Sequence, residues 1–318
     1  MAKGYDENLN PLFEQATDEE LMPIVEILLK NSNNSLSKNY LYKKNKKRPS
    51  EYIRGIVNDI KEFGGNSIAN FFRSEGVNYT EIVIDVADKL SIDYKDILDE
   101  DENFYLEDLE WKILTFVLEK AYEEMPNAEK KKIEDILKEN GFSNFSTSIP
   151  IGVILAQLSI GLSGILKMTV AELVVSWVTK SVLGHGLLSF GASMAVRNVV
   201  SVFAGPIGWS IMGIWSGISV TGPAFRTTIP LVCYIAYLRM KINEEIEKDE
   251  VNELLKSAFD ILEANENSTW EEIKKSRDNK MKFYHPDKKN FSVEICNQKT
   301  IEINNAFEII KKHFHGEK

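Results

Sequence analysis

Apolar residues recur every three or four positions along most of this chain, which predicts helices almost throughout. The stripe Leu21, Ile24, Val25, Leu28 follows Thr17-Asp18-Glu19-Glu20, where a capping threonine precedes a glutamate by three positions. That predicts a short amphipathic helix. A second stripe, Ile53, Ile56, Val57, Ile60 and Phe63, stops at Gly64-Gly65 and restarts at Asn66 or Ser67. Residues 81–90 and 106–120 continue the helical period on either side of an acidic run, 99–102, which reads as a solvated loop. Pro126 and Asn140-Gly141 punctuate two further helices. The β-branched EIVID of residues 81–85 is too short, and too closely flanked by helical period, to predict a strand. The expected fold class is all-α.

The pattern changes at residue 148. Residues 148–240 carry only Lys167, Glu172, Lys180, Arg197, Arg226 and Arg239 as charges, and eleven of the 18 glycines. Two uncharged windows, 140–166 and 198–225, exceed the roughly 18 to 20 residues that flag a membrane span. Proline and glycine shorten both: a helix over 207–222, between Pro206 and Pro223, would reach about 24 Å against a bilayer core of about 30 Å. Three arrangements satisfy so few charges: a hairpin dipping into a membrane, a buried core and an oligomer interface. The expectation is peripheral or hairpin-type membrane association. Pro206, Gly208, Trp209, Gly213, Trp215 and Gly217 are the candidate membrane or oligomer contacts, with Gly213-x-x-x-Gly217 allowing close approach of helix backbones. From Pro230, apolar LVCYIAYL runs into charged RMKINEEIEKDEVNELLK, which predicts one helix leaving the apolar block.

Composition adds boundaries. A length of 318 residues, 43% hydrophobic and 10% aromatic, suits about two domains with packed cores. A net charge of −10, from 48 acids and 38 bases, argues against a surface built for nucleic acid. Cys233 and Cys296 are isolated from each other and offer neither a disulfide framework nor a CxxC pair. The first 30 residues lack a secretory pattern, so the expected location is cytoplasmic, with the inner face of the membrane as the second option. Residues 38–54 hold seven bases, which read as a solvated linker or as a contact for phosphate or anionic lipid.

The chemistry-bearing segment lies near the C-terminus. In WEEIKKSRDNKMKFYHPDKKN, Trp270, Ile273, Met281 and Tyr284 mark the buried side of a helix. Five bases (Lys274, Lys275, Arg277, Lys280, Lys282) stand against one acid, Asp278, and predict a positive face. Pro286 should end this helix near Tyr284 and place His285-Pro286-Asp287 in a loop. KTIEINNAFEIIKKHF follows with the stripe Ile303, Phe307, Ile310, which completes an αα-hairpin. No phosphate loop, HExxH or GxSxG occurs, and no enzyme is expected. His185, between two glycines, reads as a satisfied polar group at a helix break, and His313 and His315 as a solvated tail rather than a metal site.

Residues 254–314 resemble the J-domain of DnaJ-type cochaperones. Ala258-Phe259-Asp260-Ile261-Leu262, Glu272-Ile273-Lys274-Lys275, Tyr284-His285-Pro286-Asp287-Lys288 and Ile303-Asn304-Asn305-Ala306-Phe307-Glu308 match in order and spacing. The resemblance implies docking onto a DnaK-type chaperone and stimulation of its ATP hydrolysis. His285, Pro286 and Asp287 would be the signalling tip, and Lys274, Lys275, Arg277, Lys282 and Lys288 the surface meeting an acidic partner. Arg277 and Lys280 stand where that family has an aromatic and an aliphatic core residue, and Thr300 where it has phenylalanine, which implies looser packing or a slightly rotated helix.

Upstream, Glu62-Phe63-Gly64-Gly65-Asn66-Ser67-Ile68-Ala69-Asn70, Ile84-Asp85-Val86, residues 182–188 and Phe225-Arg226-Thr227-Thr228-Ile229-Pro230 resemble the bacterial YaaW family, grouped with ubiquinol-cytochrome c chaperones. The expected organisation is an N-terminal helical segment (1–37), a YaaW-like helical domain (38–147), the apolar block (148–240), a charged linker (241–253) and the J-domain (254–318). The expected function is recruitment of a DnaK-type ATPase to a client protein held by the YaaW-like region, at a membrane in one version. The alternative is a membrane-inserting or pore-forming effector whose J-domain controls its folding or assembly. Expected partners are the DnaK-type chaperone, the client, a membrane and a second copy of the chain; no cofactor, metal or nucleic acid is expected.

Overall fold

Helices form where the apolar period places them in the computed structural model, which describes residues 4–31, 34–65, 77–99, 101, 103–139, 164–183, 225–285, 287 and 291–315. The class is all-α, with no strand among the described residues. The chain divides into two compact units, Met1–Ile242 and Asn243–Lys318.

The first unit contains α1 (Asn10–Gln15), α2 (Asp18–Lys30), α3 (Tyr40–Lys44), α4 (Ile53–Gly65), α5 (Tyr79–Lys89), α6 (Leu106–Glu124), α7 (Asn127–Glu139), α8 (Gly164–Leu183) and the start of α9 (Phe225–Leu262). Thr17 caps α2 reciprocally: its hydroxyl accepts the Glu20 N–H at 3.3 Å, and the Glu20 carboxylate accepts the Thr17 N–H at 2.8 Å. EIVID lies inside α5, where Ile82, Val83 and Val86 are buried and Asn78 caps the first turn by accepting from the Glu81 N–H at 2.8 Å. Gly64 does more than stop α4. A Cβ there would lie 2.4 Å from Cγ1 of Ile82, so its absence lets α4 and α5 close on each other.

Two segments of the low-charge stretch are protein core. On α8, Val170, Ala171, Leu173, Val174, Val175, Trp177 and Val178 are all buried, and the helix packs against α2 and α6. On α9, every residue from Leu231 to Leu238 is buried. A helix apolar on all sides is one enclosed by protein or lipid, and α2 and α6 supply part of the cover of α8. No described helix is long and apolar enough to cross a membrane. Windows 140–166 and 198–225, apart from their last positions, lie outside the described residues, as do Pro206, Gly208, Trp209, Gly213, Trp215, Gly217 and His185.

Asp59 of α4 is a buried acid with an incomplete set of partners. Its Oδ1 accepts from the Ser35 N–H at 2.6 Å and the Ser35 hydroxyl at 2.7 Å, while Oδ2 has no hydrogen-bond partner among the described residues. Burial pushes its pKa above the ordinary 3.8, against the lowering effect of the Ser35 and Leu36 donors. An acid with a raised folded pKa contributes most stability below its unfolded pKa and loses that contribution as pH rises through the folded value. Asp59→Asn is therefore expected to gain stability relative to the parent between about pH 4 and pH 7. Urea unfolding at the two pH values tests this, and a pH-independent difference would contradict it.

The second unit comprises the end of α9, α10 (Trp270–Phe283) and α11 (Val293–His315). Its core is Leu255, Ala258, Phe259, Leu262, Ile273, Ile303, Ala306, Phe307 and Ile310. Beyond α9, Glu263 takes a left-handed φ of 53°, and the Ala264 N–H returns to the Phe259 carbonyl at 3.0 Å. Thr269 and Glu272 repeat the reciprocal cap of α2 at the start of α10. Trp270, at the start of α10, stacks on Phe307 at 5.0 Å and meets Phe314 and His315 near the end of α11. Phe283, at the other end, meets Phe291 just before α11. The two helices therefore run antiparallel.

Candidate docking site

The loop between α10 and α11 is the most chemically distinctive surface of the second unit. Helix α10 ends at Phe283, where Tyr284 becomes its C-cap and donates its N–H to the Lys280 carbonyl at 2.9 Å. His285 and Asp287 follow, with side chains 58% and 88% exposed. The Asp287 N–H donates to Nδ1 of His285 at 3.3 Å, and the Asp287 carboxylate lies 3.4 Å from the same nitrogen. This turn holds an imidazole and a carboxylate together in water. Phe283, Tyr284 and Phe291 form a ring cluster beneath it, with centroids 5.0 to 5.7 Å apart. Pro286 and Lys288 lie outside the described residues.

The bases of α10 do not share one exposed face. Trp270, Ile273, Arg277, Met281 and Tyr284 fall on one helical stripe, so Arg277 occupies a position directed at the core. Its guanidinium lies 4.3 Å from the Phe307 ring centroid and pairs with Asp278 at 2.7 Å. Lys280 reaches back to Glu263 at 2.7 Å. Both bases therefore have partners within the second unit. Lys274 pairs with Glu271 at 2.9 Å and lies over Trp270. Lys275 and Lys282 are exposed, and Glu271 and Asp278 share the solvent side with them. The positive surface is thus narrower than the base count predicts. His313 and His315 belong to α11 rather than to a tail, with His315 edge-on to Trp270 at 4.8 Å. No group of three or more metal-ligating side chains occurs among the described residues.

Sequence reasoning missed a buried polar network in the first unit. Arg239 Nε donates to Glu110 Oε2 at 2.9 Å, and the Tyr79 hydroxyl donates to Glu110 Oε1 at 2.8 Å. Both terminal guanidinium nitrogens face the Asn8 carbonyl at 3.4 Å, while the Tyr79 N–H donates to the Asp6 carboxylate at 2.9 Å. Burial pushes the Glu110 pKa up, and Arg239 and then Tyr79 pull against that rise. Burial disfavours the Arg239 charge, but Glu110, Tyr79 and Glu107 together outweigh it and raise the Arg239 pKa overall. The network ties the N-terminal segment, α5, α6 and α9 together, and nothing in it is open to a substrate. The available signal was a lone arginine inside LVCYIAYLRM, which demands a buried partner.

Comparison with known proteins gives a consistent result. The chain is 32% identical over 253 residues to a UPF0174 protein of Helicobacter pylori strain J99, covering 78% of this chain and 96% of that protein. It is 32% identical over 218 residues to a UPF0174 protein of Helicobacter pylori strain 26695, covering 66% of this chain and 98% of that protein. It is also 28% identical over 211 residues to the UPF0174 protein YaaW of Escherichia coli K12, covering 65% of this chain and 81% of that protein. No family model matches the chain, and no solved structure matches it significantly.

Proposed function

The chain belongs to the UPF0174 family, and we propose that it is a non-enzymatic cochaperone whose C-terminal unit acts as a J-domain on a DnaK-type ATPase. The supporting observation is the exposed His285–Asp287 turn at the end of a capped helix that runs antiparallel to its neighbour, with exposed Lys282 in the last turn of that helix and exposed Lys275 nearer its start. In this reading the tip meets the ATPase, and the first unit holds the client whose delivery the ATPase cycle drives. The cytoplasm, or the inner face of a membrane, is the compartment. The effector alternative draws no support from α8 and the start of α9, which are buried as core.

Lys275 and Lys282 supply the long-range attraction to an acidic partner, an effect that salt screens. Lys275→Glu with Lys282→Glu is expected to slow association with a DnaK-type chaperone by about tenfold at low ionic strength, with the difference shrinking as salt rises. Stopped-flow association kinetics with the full chain test the proposal. Absence of association, or rates identical for parent and variant at low salt, would reject it.

A further inference from the structure

We infer that residues 38–54 form an ordered basic knob that binds an anionic lipid surface. The inference is independent of the cochaperone reading. The segment carries Lys38, Lys43, Lys44, Lys46, Lys47, Arg48 and Arg54 against one acid, Glu51, in a chain whose net charge is −10. All seven bases are exposed, and Arg48 pairs with Glu51 at 2.8 Å. Self-repulsion among so many like charges favours an extended, solvated chain, yet this segment is folded.

Its order has identifiable causes. Leu36, Pro49 and Tyr52 are buried. The Tyr52 hydroxyl donates to the Lys46 carbonyl at 3.0 Å, and Tyr42 meets the Tyr52 ring edge-on at 5.5 Å. The Asn39 side chain accepts the Leu41 N–H at 2.8 Å and the Tyr42 N–H at 3.3 Å, which caps α3. Gly55 lets α4 approach this cap, since a Cβ there would lie 2.7 Å from Nδ2 of Asn39. The backbone that displays the lysines is therefore set before any ligand arrives, so little ordering entropy remains to be lost on binding.

The exposed chemistry selects lipid over other anions. Tyr40 is 73% exposed and Leu41 45% exposed, and helical spacing puts Tyr40 beside Lys43 and Lys44 and Leu41 beside Lys44. A ring with a polar end and an aliphatic side chain among lysines suits the boundary between headgroups and acyl chains. Five of the seven bases are lysines, point charges that suit a fluid layer of headgroup phosphates better than the fixed bidentate geometry arginine provides.

The test is co-sedimentation of the full chain with phosphatidylcholine vesicles, with and without phosphatidylglycerol. Binding is expected only with phosphatidylglycerol, and added salt should weaken it. Each lysine near such a surface contributes on the order of fivefold, so Lys43→Gln, Lys44→Gln, Lys46→Gln and Lys47→Gln together should lower partitioning by at least about 100-fold. Circular dichroism should be unchanged, because all four side chains are exposed. Tyr40→Ser with Leu41→Ser should weaken partitioning but keep its dependence on phosphatidylglycerol. His285→Gln should bind vesicles as the parent does, which separates this inference from the cochaperone reading. Undiminished binding by the four-lysine variant, or equal binding to neutral vesicles, would overturn the inference. So would displacement of the protein from vesicles by single-stranded RNA through the same four lysines, which would assign the surface to nucleic acid.

Discussion

Full-length protein carrying His285→Gln is expected to lose stimulation of a DnaK-type ATPase, returning the hydrolysis rate to the chaperone's own, while unfolding at the same temperature as the parent. Function and folding separate here because of where the side chain lies. His285 is outside the hydrophobic cluster of the second unit, and among the described residues its ring meets Asp287. Substitution at an exposed loop position of this kind changes stability by about 0.5 kcal/mol or less. A partner that reads the imidazole and the adjacent carboxylate at the tip would lose its main contact. The check is single-turnover hydrolysis beside far-ultraviolet circular dichroism and a melting curve. Equal stimulation by parent and variant would remove the tip from the mechanism, and a large fall in melting temperature would show that His285 holds the fold.

Arg239→Met is expected to destabilise the first unit by about 3–5 kcal/mol, because it leaves the Glu110 carboxylate, 2% exposed, without its counter-charge. Tyr79 alone would then donate to Glu110, and one neutral hydrogen bond does not offset burial of a carboxylate. Adding Glu110→Gln to Arg239→Met should recover much of the loss. The charge disappears while the amide oxygen still accepts from Tyr79, and buried pairs replaced by neutral groups are often tolerated. Urea unfolding of the two single variants and the double variant gives the coupling directly. Additive losses would show that the pair is not the unit of stability.

Local rules made much of the fold legible. Thr17-x-x-Glu20 predicts the cap on α2, and the same spacing at Thr269-x-x-Glu272 produces the cap on α10. Pro286 correctly predicted the end of α10 near Tyr284, because a residue before proline is pushed out of helical geometry. What escaped depended on partners distant in the chain. Arg239 and Glu110 are 129 positions apart, and no local pattern pairs them. Arg277 reads as part of a basic face until Phe307 is placed beneath it. The low-charge stretch predicted something enclosed, but its pattern could not distinguish lipid from protein; α8 and the start of α9 are buried within the first unit. For the tip, the sequence supplied residue types and spacing, and the structure added exposure and the aromatic cluster below it.

Signalling by the second unit to a DnaK-type ATPase is tested most directly by single-turnover ATP hydrolysis by such a chaperone as the full chain is titrated in. The rate should rise with concentration and saturate. A rate that stays at the chaperone's own value across the titration, with a protein shown to be folded, would contradict it.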